Sequence, residues 1–146
     1  MSEISTDSGA PTVVATGEGT TFARPDTGGA ITVKVSSETT GGAITVWESR
    51  RPAGDSRGPG PHSHPGFDEM FYVLAGEYAF TADGRRFTAP VGTFVFMPRG
   101  TFHSFVGTGA IEGRLLHLAV PGGIEDSLEE MAFTSDGSGA RAVGPK

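Results

Sequence analysis

The sequence contains no cysteine. Disulfides, thiolate metal sites, iron–sulfur clusters and cysteine nucleophiles are therefore excluded, and any bound metal must rest on nitrogen and oxygen donors. Basic residues are scarce as well: 11 Lys and Arg stand against 17 Asp and Glu, for a net charge of −6. The pairs Arg50-Arg51 and Arg85-Arg86 are too small to form the basic footprint that nucleic acid requires, so no nucleic-acid partner is expected. No apolar run approaches the roughly 20 residues of a membrane-spanning helix, so no membrane partner is expected either. Residues 1–11 are acidic and polar, without the basic start and apolar stretch of a secretory signal, and a cytoplasmic location is the default. Gly17-Glu18-Gly19 is not a phosphate loop, because no lysine follows it and no strand–helix frame surrounds it.

What is abundant is glycine, with 23 residues, and proline, with 10. Both fall between short apolar segments, as they do in an all-β chain with many tight turns. The length of 146 residues fits one domain. It reads as a flexible arm over 1–11, a folded unit over 12–133 and a flexible tail over 134–146. Strand-length runs are expected at 69–74, 77–81, 86–88, 93–97, 102–106 and 112–120, with Asp83-Gly84 as a hairpin turn that needs positive φ angles. Thr-Gly-Gly-Ala-Ile-Thr-Val occurs twice, at 27–33 and at 40–46, which gives two further strands and no solenoid. One helix is expected, over 124–132, with Ile124, Leu128 and Met131 on one face and Glu125 and Asp126 in its first turn. Short strands and frequent turns together predict a sandwich or barrel.

The chemistry gathers around the histidines. In His62-Ser63-His64 the two imidazoles are two residues apart and point the same way on an extended chain. Pro65-Gly66-Phe67-Asp68 is turn-prone and can bring Glu69 back beside them. Farther on, a hairpin at Pro98-Arg99-Gly100 would deliver His103 to the same interior. Three neutral imidazoles and one carboxylate suit a first-row divalent ion with coordination positions left for water or substrate. If Glu69 faces inward, so do Phe71 and Val73; if His103 does, so does Phe105. These three are the candidate pocket walls, with Trp47 and Phe67 as rim candidates. His117 lies within a strand and shares a face with Leu115 and Ala119. It is either a strand histidine satisfied by a local hydrogen bond or an interior group that partners the metal ligands or serves as acid and base for a substrate. Arg99 reads as a solvated turn arginine. No serine–histidine–acid set is recognisable.

The spacing His62-x-His64-x4-Glu69-x6-Gly76 resembles the first cupin motif, and Gly92-x5-Pro98-x-Gly100-x2-His103 resembles the second. The resemblance covers about a third of the chain and includes every usual metal ligand of that family. Two positions depart from it: Ser56 stands where the family often has glycine, and Gly107 where it often has asparagine. Neither is a ligand.

The resemblance implies an all-β, cupin-type β-barrel (a double-stranded β-helix or jelly roll) with a short C-terminal helix. It also implies one divalent ion per chain (Fe, Mn, Ni, Co or Zn) on His62, His64, Glu69 and His103, and a homodimer. A cupin scaffold does not fix a reaction. The segment from Gly60 to Gly76 and the stretch Val120-Pro121-Gly122-Gly123 look like single-domain bacterial quercetinase-like cupins. The first expectation is therefore a dioxygenase acting on a small aromatic or enol substrate, flavonol- or polyketide-like, with Glu69 as ligand and base. The second is a redox-silent polyketide cyclase or isomerase, with His117 as a proton donor. The third is a non-catalytic binding module with a structural metal.

Overall fold

The computed structural model describes residues 10–24, 28–55, 58–108 and 110–128, together with the backbone of 141–143. Ten strands and one short helix are assigned among them: β1 (Thr20–Arg24), β2 (Gly29–Val35), α1 (Ser37–Thr40), β3 (Thr45–Arg51), β4 (Asp68–Ala75), β5 (Glu77–Ala82), β6 (Arg85–Pro90), β7 (Phe94–Met97), β8 (His103–Gly107), β9 (Gly113–Val120) and β10 (Arg141–Val143). They form a seven-stranded sheet in the order β10-β1-β2-β3-β9-β4-β7 and a three-stranded sheet in the order β6-β5-β8. The two sheets are not joined into a closed hydrogen-bonded barrel. They form the sandwich-like jelly roll of an all-β protein, as expected.

Local sequence explains the frame. Asp83-Gly84 turns β5 into β6 with φ angles of 49° and 80°, the left-handed pair that Asp-Gly supplies in a two-residue hairpin. Gly76 turns β4 into β5 at φ 75°, and a Cβ there would collide with the backbone of Glu112 and Gly113. Only glycine satisfies both conditions. β9 is central, paired with β3 on one side and β4 on the other, so its apolar alternation Leu115, His117, Ala119 faces a covered interior.

Two apolar clusters fill the space between the sheets. One contains Phe71, Val73, Tyr78, Phe80, Ala89, Val95, Met97 and Leu115. The other contains Phe22, Val33, Trp47, Ala119, Ile124 and Leu128. The expected C-terminal helix is present as a helical turn over 125–128, with Ile124 and Leu128 buried in the second cluster; its continuation and Met131 lie outside the described residues.

Two features differ from the sequence expectation. α1 was not anticipated, because the second Thr-Gly-Gly-Ala-Ile-Thr-Val copy reads as a strand. Its Gly41 instead adopts φ 65° and stops a helical turn, and only Thr45 and Val46 enter β3. Within the segment read as a tail, Arg141–Val143 pairs with β1, so the β1 edge is already covered. Residues 1–9 of the arm over 1–11 and the rest of the tail lie outside the described residues. An apolar surface is exposed around β7, with Tyr72, Phe94 and Phe96 all exposed. No helix among the described residues is long and apolar enough to cross a membrane.

Candidate metal centre and cavity

The strand ladder assembles the predicted ligands. His62 forms an isolated antiparallel bridge with His103: its N–H donates to the His103 carbonyl at 2.9 Å, and the His103 N–H donates back at 2.8 Å. Gly100 N–H donates to the His64 carbonyl at 2.9 Å, which lays the His62–His64 segment along the approach to β8. The three rings lie side by side, with centroids 4.5 Å apart for His62 and His103 and 4.8 Å for His62 and His64. Their ligand atoms all lie within 4.8 Å of one another, and the trio could hold a metal ion.

Glu69, near the start of β4, completes the set. Its Oε1 stands 3.5 Å from His64 Nε2 and 3.6 Å from His103 Nε2. Its Oε2 turns the other way, to His117 Nδ1 at 3.4 Å.

The hydrogen-bond pattern fixes which ring nitrogen faces inward. His62 Nδ1 donates to the Gly60 carbonyl at 2.7 Å, and His103 Nδ1 donates to the Thr101 carbonyl at 2.9 Å. Both Nε2 atoms are then left with a free lone pair, the form in which imidazole binds a metal. Glu69 Oε1 and His103 Nε2 are buried and have no hydrogen-bond partner. Two acceptors facing each other at 3.6 Å in a dry interior are costly, and a cation between them would satisfy both. The residues therefore fit a first-row divalent ion on an all-nitrogen and oxygen site.

Electrostatics keep Glu69 ionised and His64 neutral, whereas His103 must give up a proton to bind an ion. Burial pushes the Glu69 carboxyl up, but the facing His103, His117 and His64 outweigh it and hold the group at about 2. Burial lowers His64, opposed by Glu69 and reinforced by His62 and His103. Burial also pulls His103 down, but Glu69 and the Thr101 carbonyl raise it on balance.

His117 is inside, 3% exposed. It stacks on Trp47 with centroids 4.8 Å apart, and its Nε2 meets Ser49 Oγ at 2.8 Å. The register explains the contact, since His117 sits between Trp47 on β3 and Phe71 on β4. Ser49, His117 and Glu69 thus form a continuous polar line to the ligand set. The hydrogen bond of the bland alternative exists, but its partner is part of that line.

A cavity of about 150 Å³ opens beside the ligands, with His62, His64, Glu69 and His117 at one end. That is room for about five waters at ~30 Å³ each. Its walls include Ile31, Trp47, Ser49 and Phe105. Phe105 is thus where the sequence places it. Phe71 and Val73 are not on the wall. Phe71 is fully buried behind the ligands, with its ring 5.1 Å from His117 and 5.3 Å from Phe105. Val73 lies four residues beyond Glu69, roughly 13 Å along β4, where the interior is packed core. The inward phase was right for both, and depth along the strand separates wall from core.

Phe67 stacks on His64 at 4.6 Å. Arg99 pairs with Asp68 at 3.2 Å on the surface, as a turn arginine should. Sequence reasoning missed Ser49, Arg51 and Tyr78, which all line the cavity. The alternation from Trp47 along β3 was the available signal for the first two. Gly107, the departure from the family asparagine, ends β8 beside Arg51. Ser56 lies outside the described residues.

The family model for the cupin domain matches residues 48–119. A protein from Thermotoga maritima described as a predicted oxalate decarboxylase superposes with a TM-score of 0.66 at 24% identity, covering 75% of this chain and 99% of that one. An RmlC-like cupin from Shewanella frigidimarina gives 0.59 at 19% identity, over 80% and 96%. KdgF from a Halomonas species gives 0.58 at 16% identity, over 68% and 85%. At these identities the likeness concerns the fold. No curated protein matches the sequence.

Proposed function

We propose that this chain is a mononuclear metal-dependent enzyme of the cupin type, in the first instance a dioxygenase acting on a small aromatic or enol substrate. His62, His64, His103 and Glu69 would hold the ion. The observation that carries this reading is the pair of orphaned buried acceptors, Glu69 Oε1 and His103 Nε2, of which Glu69 also lines the cavity. When bound, the ion supplies Lewis acidity that acidifies a substrate hydroxyl and, if redox-capable, electron transfer to dioxygen.

The chain's own residues orient the substrate and move its proton. Trp47, Ile31 and Phe105 offer apolar walls that suit a flat ring and exclude bulk water. Glu69, held at about 2, is a weak base and keeps an acquired proton only briefly. With its ring hydrogen on Nε2, donated to Ser49 Oγ, His117 would take that proton from Glu69 Oε2 at Nδ1. Such a relay also serves a reaction without an oxidant, which favours a redox-silent cyclase or isomerase as the second reading.

An oxygen-electrode assay with a flavonol, on protein reconstituted separately with iron, manganese, nickel, cobalt and zinc, tests the choice. Oxygen uptake with a redox-capable ion supports the dioxygenase. Turnover with zinc and no oxygen uptake transfers the assignment to the redox-silent enzyme. Failure to bind any of the five ions contradicts both.

A further inference from the structure

The cavity has a second polar end that the metal chemistry leaves unused. β3 sends Trp47, Ser49 and Arg51 to the same face, and Ser49 reaches His117. Arg51 lies two residues farther, roughly 7 Å along the strand, opposite Gly113 of β9. It is 7% exposed and lines the cavity.

Its guanidinium is held by backbone carbonyls and by the Tyr78 hydroxyl beside it. Nη1 donates to the carbonyls of Pro52 at 3.1 Å and Asp55 at 2.8 Å, and Nη2 donates to the carbonyl of Ile111 at 3.0 Å. Nε is buried and has no hydrogen-bond partner. None of the ion pairs among the described residues includes Arg51. Three carbonyls orient the cation but bring no negative charge to a group that is costly to bury unpaired.

The surroundings are shaped for this arginine. A Cβ on Gly107 would overlap its Nε, and one on Gly113 would strike both its Nη2 and the Tyr78 hydroxyl. The guanidinium carbon stands 5.5 Å from the centroid of the Tyr78 ring, which also lines the cavity. Away from the ligands, the charged residues on the cavity wall are Arg24, Arg50 and Arg51 against the single acid Asp55. A planar carboxylate matches a guanidinium with a donor to spare, and the neighbouring phenol adds a further donor.

We propose that the Arg51 end of the cavity binds a carboxylate, so that the ligand is an aromatic or enolic acid anchored by Arg51 and Tyr78 with its hydroxyl end toward Glu69. This rests on the reading of the cavity as a substrate pocket. Its test is separable from metal binding, because Trp47, the only tryptophan, stands in the wall and reports occupancy by fluorescence.

The full chain, metal-loaded and metal-stripped, is titrated with phenylacetate and with the neutral phenylacetamide. The acid should bind at least about tenfold more tightly than the amide in both forms. Arg51→Gln should abolish that preference, Arg51→Lys should keep part of it, and His103→Ala should retain it while losing metal. Equal affinity for acid and amide in the unaltered protein overturns the proposal, even should Arg51→Gln fail to fold. So does the absence of a response to either compound up to about 10 mM. A preference that survives Arg51→Gln but disappears in His103→Ala places the carboxylate at the ligand end, which also overturns it.

Discussion

β4 and β9 each carry two kinds of interior. Along β4 the inward positions run Glu69, Phe71, Val73; along β9 they run Leu115, His117, Ala119. Toward Val73 and Leu115 the sheets close on Phe80, Ala89 and Val95, all buried with apolar partners. Toward Glu69 and His117 they stay apart around a cavity, and the buried atoms are carboxylate and imidazole. The alternation rule is the same at both ends. What differs is whether a buried atom finds its partner within the chain. Toward Val73 and Leu115 the inward side chains of β4 and β9 are matched by packing; at the open end Glu69 Oε1 and His103 Nε2 are left unmatched. The closed end is packed core, and the open end holds a cavity and buried polar atoms without partners.

That contrast can be broken from either side. The largest effect is expected at the ligands: His62→Ala, His64→Ala, Glu69→Gln and His103→Ala should each weaken metal binding by at least about 1,000-fold, more than the 10–100-fold typical of outer partners. Metal titration by calorimetry reads this, with little change in far-UV circular dichroism. At the closed end, Phe80→Ala should cost about 3–5 kcal/mol in a denaturant titration of the metal-free chain while leaving metal stoichiometry unchanged.

Acidity sharpens the contrast further. In the metal-free chain Glu69 falls from 4.5 to about 2, so its contribution to stability is complete above pH 4.5 and fades as pH falls toward 2. His103 is raised from 6.5, so its contribution is complete below pH 6.5 and fades as pH rises through the raised value. Metal-free protein should therefore be most stable between pH 4.5 and 6.5, and Glu69→Gln should flatten that profile. Stabilisation by metal should run the other way, growing as pH rises and His103 loses its proton. The smallest effects belong to the relay. His117→Gln should weaken metal binding by about tenfold, and Ser49→Ala should cost about 1 kcal/mol or less in stability, both lowering turnover more than substrate affinity.

Much of this was legible in the sequence, for identifiable reasons. Asp83-Gly84 and Gly76 fix turns by backbone chemistry alone, so the β4–β6 frame could be read directly. The proximity of His62, His64, Glu69 and His103 could be read because their spacing places two histidines on one face and returns the chain at Pro98-Arg99-Gly100. The repeated heptapeptide misled: one copy enters β2 whole from its second glycine, whereas Gly41 of the other closes α1, because neighbouring residues decide whether a Gly-Gly pair extends or turns. Depth was equally hidden. Phe71, Val73 and Phe105 all point inward, but only Phe105 reaches the cavity, since alternation gives a face and not a distance along the strand. Arg51 was read only for its charge beside Arg50, although its phase with Trp47 puts it inside.

The most direct measurement is the metal content of the reconstituted protein beside that of His103→Ala and Glu69→Gln, by elemental analysis after removal of free ion. The account predicts one equivalent of a first-row divalent ion per unaltered chain and almost none in either variant. Full occupancy in both variants would contradict it.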